Sequence, residues 1–332
     1  VIRIVLFCLA VAQALAAQSL AAAAADKVTL AANWLAEAEH GGFYQALVDG
    51  TYARHGLDVT IVPGGPQRNN RLLLAAGKVD FYMGDNIIGE FSALAEHVPI
   101  VTLAAMFQKD PLILMSHPGA GLDRFEDLPK ARAFIGLATL TTVWPWMERK
   151  WGFARKNVAP YSFNSAPFLA DRHAIQQGYV TSEPFAIFRA GGFQPNVFLL
   201  ADHGYETYAT TIETRRDLLE KNPDLARRFV EASILGWAHY LHGDPARANA
   251  AIKASNPDMD DAQIAFSIKQ MKAYGIVESG DALTKGIGAM DFARIARHYA
   301  EMAEAGVVPK GLDLAEGFDL RFVNHGLGLE GR

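Results

Sequence analysis

Cysteine is all but missing from this chain of 332 residues: Cys8 is the only one, and it stands among the first ten. Downstream of it a disulfide framework, a thiolate metal site and a cysteine nucleophile are excluded. Long apolar runs are equally scarce. The opening segment VIRIVLFCLAVAQALAAQSLAAAAADK has one positive residue, Arg3, then a short apolar core over Ile4–Ala17 and an A-x-A pattern within Ala21–Ala25. Residues 1–25 therefore read as a secretory signal cleaved near Ala25. Phe7 ahead of Cys8, and the cysteine's early position, argue against a lipid anchor. No later stretch approaches a membrane span. Export without an anchor points to a periplasmic protein.

Positive charge is also in short supply. Lys and Arg number 31 against 36 Asp and Glu, for a formal charge of −5, and no basic run occurs, which disfavours nucleic acid as a partner. Catalytic signatures are missing too. There is no G-x-S-x-G, no H-E-x-x-H and no P-loop. The ten histidines, among them His40, His97, His117, His173 and His203, are scattered without ligand spacing. Neither a cofactor nor a metal is expected, and the reading is of a non-enzyme.

What is present is an alternation of strand-like and helical patterns. VTLAA, a helix from about Gly42, LDVTIVPGG, a helix over Asn69–Ala76, VDFYMGD, a helix over Ile87–Glu96 and VPIVTLAAMF follow one another. This β-α order predicts a mostly parallel sheet flanked by helices. The Pro/Gly-rich HPGAGLDRFEDLPK after Leu112–Met115 reads as a crossing to a second α/β unit, with GYETYATTIETR as the return. Asn222-Pro223 opens an amphipathic helix over Leu225–Leu241, and helical patterns continue over Asp260–Tyr274 and Ala289–Ala305. The expected fold is an α/β protein of two lobes joined by two hinge crossings with a ligand cleft between them. Residues 26–117 and 209–332 would form lobe I and 118–208 lobe II.

Ligands in such sheets bind beyond the carboxyl ends of the strands, so the post-strand loops supply the candidates. The first is ANWLAEAEHGGFY, where Trp34 offers a flat face, Glu37 a carboxylate and His40 an imidazole ahead of a helix. Glu39 reads as a solvated cap. In VDFYMGDNIIG, Asp80 and Phe81 are expected to close the strand, with Gly84, Asp85 and Asn86 in the turn that caps the next helix. In GLATLTTVWPWMERKW, Thr139, Thr141 and Thr142 are expected before a helix over Val143–Trp151, with Trp144 or Trp146 turned to the cleft. Glu183 follows a short strand in YVTSEPF. Asn164 in PYSFN and Tyr208 in the return segment complete the set.

The pattern N-W-x5-H with a G-F-Y helix start, followed by G-T-Y-x3-G-L-D-V and A-A-G-K-V-D-F, spans Asn33–Phe81. With PYSFN, QQGYVTSEPF and the NPDLARRFVEA helix, it resembles the thiamine-pyrimidine-synthase-like substrate-binding proteins of bacterial ABC importers. Those stand within a broader group of nitrate, sulfonate and taurine binders. The resemblance implies a two-lobed periplasmic binding protein that closes on a small molecule and delivers it, as a monomer, to an inner-membrane permease and its ATPase. Near this branch the ligands are flat heterocycles such as thiamine pyrimidine precursors, held between aromatic side chains and read by a carboxylate or amide. Trp34 and His40 match the motif positions, and Glu183 is the expected ring-nitrogen partner.

Two rivals remain from sequence. A binder of a small anion such as a sulfonate, taurine or nitrate would need a basic group in the cleft, and Trp34–Tyr44, Gly84–Asn86 and Thr139–Trp144 contain none. The eukaryotic pyrimidine synthases resemble the chain at N-W-x5-H, but their lysine and histidine positions read Gly84 and Ile88 here and the cysteine-rich run is absent. An exported enzyme with an unfamiliar site is the out-of-class alternative.

Overall fold

The computed structural model describes residues 24–66 and 68–329. The apolar core of the signal-peptide reading, and Cys8 with it, lie outside the described residues. Among the described residues no helix is long and apolar enough to cross a membrane.

The strands are β1 (Asp26–Ala31), β2 (Leu57–Val62), β3 (Phe81–Asn86), β4 (Ile100–Phe107), β5 (Leu112–Ser116), β6 (Arg132–Ile135), β7 (Val158–Pro160), β8 (Ala174–Tyr179), β9 (Asn196–Leu199) and β10 (Ala209–Arg215). They form two five-stranded sheets, ordered β2-β1-β3-β10-β4 and β7-β6-β8-β5-β9. In the first, β1 runs parallel to β2 and β3, while β10 is antiparallel to β3 and β4. In the second, β6 is parallel to β7 and β8, while β5 is antiparallel to β8 and β9. Each sheet thus holds one reversed strand, and in each it is the strand that has just crossed from the other lobe.

β4, IVTLAAMF, is buried throughout, as a continuous apolar run predicts. It ends the strand order, yet it is not bare: the amide of Thr102 donates to Gly317 O and its carbonyl accepts from the Asp319 amide. The helix Pro223–His242 covers the other side of this lobe. Asn222 caps it by accepting from the Leu225 amide at 3.1 Å. Its Phe229 stacks on Phe81 of β3 at 4.0 Å and on Tyr52 at 5.4 Å.

The strand pairing moves the lobe boundary. The sequence reading kept residues up to 117 in lobe I and placed the crossing in HPGAGLDRFEDLPK. β5 instead pairs within the second sheet, so the chain crosses at 108–111, and the Pro/Gly-rich segment is a loop of the second lobe. Composition misled here because the actual crossing, Gln108-Lys109-Asp110-Pro111, is a short link between two buried strands. The return runs through 200–208, and ATTIETR is itself β10.

Both crossings are tied to one side chain. Arg294, on the helix Phe292–Glu304, donates to Gln108 O at 2.5 Å in the first crossing, and to Glu206 O at 2.8 Å and Thr207 O at 3.1 Å in the second. Its guanidinium lies over the Tyr208 ring at 4.0 Å. The Tyr208 hydroxyl donates to Asp281 Oδ2 at 2.5 Å and accepts from the Asp291 amide at 2.8 Å. Arg294→Ala strands three carbonyls at the hinge, and urea denaturation should show a loss of about 2–4 kcal/mol. Arg294→Lys, which keeps the charge but not the fork, should recover only part of it.

Candidate ligand-binding cleft

Four post-strand loops meet between the sheets. From the first lobe come the segments after β1 and at the end of β3, and from the second those after β7 and β8. Strand ends are where backbone groups leave the ladder and side chains of consecutive loops converge.

The segment after β1 is held from three sides. The Gly64 amide donates to Trp34 O at 2.9 Å, the Asn70 side-chain amide to Ala32 O at 2.8 Å, and the Asn256 side-chain amide to Ala36 O at 2.9 Å. The helix Gly41–Val48 then starts against the long C-terminal helix. A Cβ on Gly41 would lie 2.0 Å from the Tyr240 ring and one on Gly42 2.2 Å from that of Trp237. The two glycines of HGG therefore serve close helix packing, which fixes His40 and Glu39 just ahead of them.

His40 is 2% exposed and its Nε2 lies 3.1 Å from Asn33 Oδ1. Asn33 in turn donates from Nδ2 to Asp85 Oδ1. Because Asn33 Oδ1 can only accept, His40 Nε2 carries a proton and donates. Burial pushes the imidazole down to about 4, so it is neutral near pH 7 and Nδ1 is a lone-pair acceptor. That Nδ1 has no partner among the described residues. His40 thus orients Asn33, and Asn33 orients Asp85.

Carboxyl groups gather where these loops meet. Glu37 is pushed well above the usual range by desolvation and then by Glu39, Glu183 and Asp85. Desolvation also raises Glu39, Asp85 and Glu183. Asp110, in the first crossing, is raised to about 6 by burial although the Leu112 amide and Asn86 bond it. Glu183 is the best anchored: Tyr161 Oη donates to one oxygen at 3.1 Å and the Tyr179 amide to the other at 2.7 Å. Glu39 is 4% exposed, so the solvated-cap reading of it is corrected.

The lobes also meet through aromatic rings. Trp34 of the first lobe lies 5.3 Å from Phe163 of the second, at 45°, and Phe163 lies 5.5 Å from Tyr161. Phe163 is 62% exposed and sits at φ 61°, a backbone region that bulky side chains avoid. Beside them the Thr181 carbonyl accepts from Ser267 Oγ at 2.7 Å and Gln263 Nε2 at 3.0 Å.

Several expected site residues lie elsewhere. Asp85 and Asn86 belong to β3 rather than to a turn. The Asn86 amide is used up, Nδ2 on Asp110 at 3.2 Å and Oδ1 on the Ile88 amide at 3.1 Å. Thr139, Thr141 and Thr142 are inside a helix, Leu137–Thr142, and the hydroxyls of the last two bond carbonyls of its preceding turn. Trp144 and Trp146 are both core: Trp144 packs on Phe153, and Trp146 donates to Glu301 Oε2 at 2.9 Å. Asn164 is exposed and caps the next short helix through the Ala166 amide. Tyr208 is the hinge residue held under Arg294. Sequence reasoning missed the roles of Asn33, Phe163, Tyr161 and Asp110. Asn33 and Phe163 stood inside the quoted motifs NW and PYSFN, which was the available signal.

The fold recurs among solved structures. The aliphatic sulphonate binding protein SsuA of Escherichia coli aligns with a TM-score of 0.66 at 12% identity over 88% of this chain and 91% of that one. A desulfurization enzyme, DSZB, shares the fold with a TM-score of 0.59 at 12% identity, over 92% of this chain and 99% of that one. The architecture is therefore that of the two-lobed periplasmic binding proteins, shared with at least one enzyme. In sequence, the chain is 25% identical over 321 residues to the riboflavin-binding protein RibY of Chloroflexus aurantiacus, covering 91% of this chain and 87% of that protein. The profile of the NMT1/THI5-like family matches residues 37–248. With more than half of its length matched, the chain belongs to the NMT1/THI5-like family.

Proposed function

We propose that this protein is the periplasmic solute receptor of an ABC importer and that its cleft captures a flat, nitrogen-bearing aromatic solute of pyrimidine-like chemistry. The observation that carries this reading is the pairing of Trp34 with Phe163 across the lobes, ringed by carboxyl groups. Two aromatic rings from opposite lobes, here in contact with each other, would part to take a planar ring between them, and carboxylates suit the N–H donors on its edge. The relative that binds riboflavin, a flat nitrogen-rich ring, supports the same ligand class.

The solute would be gripped by hinge closure about 108–111 and 200–208, because it touches both walls only when they meet. The closed form would then be presented to a permease and its ATPase, and no chemical step on the solute is required. A small anion is the second reading, supported by the sulfonate-binding neighbours. It is disfavoured by the carboxyl-rich walls. An enzyme, as in the desulfurization neighbour, would reveal itself by turnover of a bound solute.

A thermal-shift screen against pyrimidines, flavins, sulfonates and nitrate checks the reading. A solute at a hundredfold over its Kd adds roughly 2.7 kcal/mol, which should raise Tm by several degrees. The flat heterocycles should give that rise, Trp34→Ala should abolish it, and a response to sulfonate or nitrate alone would favour the anion reading.

Linkage supplies a second check. The folded Glu37 titrates above its ordinary value of 4.5, so its contribution to stability is fully present below that value and is lost as pH rises through the folded pKa. Glu37→Gln should therefore melt above the parent protein at pH 7.5 without solute. The gap should close as pH is lowered toward 4.5.

A further inference from the structure

Resting on the ring-binding reading, we propose that the cleft selects a cation: the solute's ring bears an amidinium- or ammonium-like group that sits among carboxyl groups contributed by both lobes. Glu37, Glu39 and Asp85 come from the first lobe and Glu183 from the second, and Glu183 acts on both Glu37 and Glu39. Glu183 is already oriented, each oxygen taking one donor, Tyr161 Oη and the Tyr179 amide. Asp85 is oriented by Asn33. Carboxylates held this way are arranged to accept more hydrogen bonds, from a donor-rich partner.

One further buried polar atom lies on His40, the residue that bonds Asn33. His40 Nδ1, an acceptor by the tautomer derived above, is buried and without a partner among the described residues. Positive charge from the protein is committed elsewhere. Arg71 acts on Asp85, but it pairs with Glu213 at 2.8 Å and with Glu90 at 3.5 Å, one cation against two carboxylates. Among the described residues no three His, Cys, Asp or Glu side chains gather to hold a metal ion. Acids beside two aromatic rings fit a flat, delocalised organic cation, which gains from both the charge and the ring quadrupoles.

The test uses three probes of one shape and different charge: benzamidine, benzamide and benzoate, titrated calorimetrically at pH 7.5 into the mature protein. Benzamidine should bind at least about tenfold tighter than benzamide, and benzoate should not bind. In the Glu37→Gln/Glu183→Gln double variant the benzamidine preference should shrink to within about threefold, with folding verified by its melting curve. If benzamide binds as well as benzamidine and Trp34→Ala abolishes both, the ring reading stands and the cation claim falls. If benzoate binds best, both fall. If none of the three gives heat at millimolar concentration, the cation claim falls and the ring reading is left to the heterocycle screen. If the double variant keeps the full preference, these carboxylates are not the selecting groups and the claim falls.

Discussion

Like charges meet where the two lobes face each other. Glu39 and Asp85 of one lobe and Glu183 of the other raise the affinity of Glu37 for protons, and Glu183 that of Glu39, on top of the cost of leaving water. Desolvated carboxylates facing each other oppose closure at neutral pH. A binding protein needs a closed form that its solute stabilises and that is otherwise disfavoured, since a ligand shifts such an equilibrium only by its differential affinity for the two states. On the proposed reading, repulsion between these carboxyl groups would supply that bias.

The rest of the molecule holds those groups in register. Gly41 and Gly42 seat the first helix against Trp237 and Tyr240, and so set His40, Asn33 and Asp85 in line. Behind them, Gly84 lets the Glu213 side chain pass; a Cβ there would lie 2.1 Å from Glu213 Oε1. Glu213 and Glu90 in turn pair with the half-buried Arg71. At the crossings a single guanidinium gathers both segments through Gln108 O and Glu206 O. Rigid lobes with a narrowly defined pivot are what allow two walls to meet in one arrangement.

Much of this was legible in the sequence. The β-α alternation gave two sheets, and the strand-end rule proposed Trp34, Glu37, His40, Asp85 and Glu183 as site residues. Local patterns do not reveal which loop of one lobe faces which loop of the other. Phe163 therefore went unremarked within PYSFN, although its left-handed backbone and its contact with Trp34 mark it out once the lobes are seen together. Thr141 and Thr142 were misplaced because the helix starts earlier, at Leu137, with its own hydroxyl-to-carbonyl bonds. Tyr208 lies in a segment that does cross between lobes, but its polar end serves Asp281 and Asp291.

The most direct measurement of the central claim is a crystal structure with a solute that raises Tm in solution. The account predicts a planar ring between Trp34 and Phe163, with donors on its edge directed to Glu37 or Glu183. A solute bound away from these two rings, held by backbone amides or basic side chains with the four carboxyl groups turned to solvent, would contradict it.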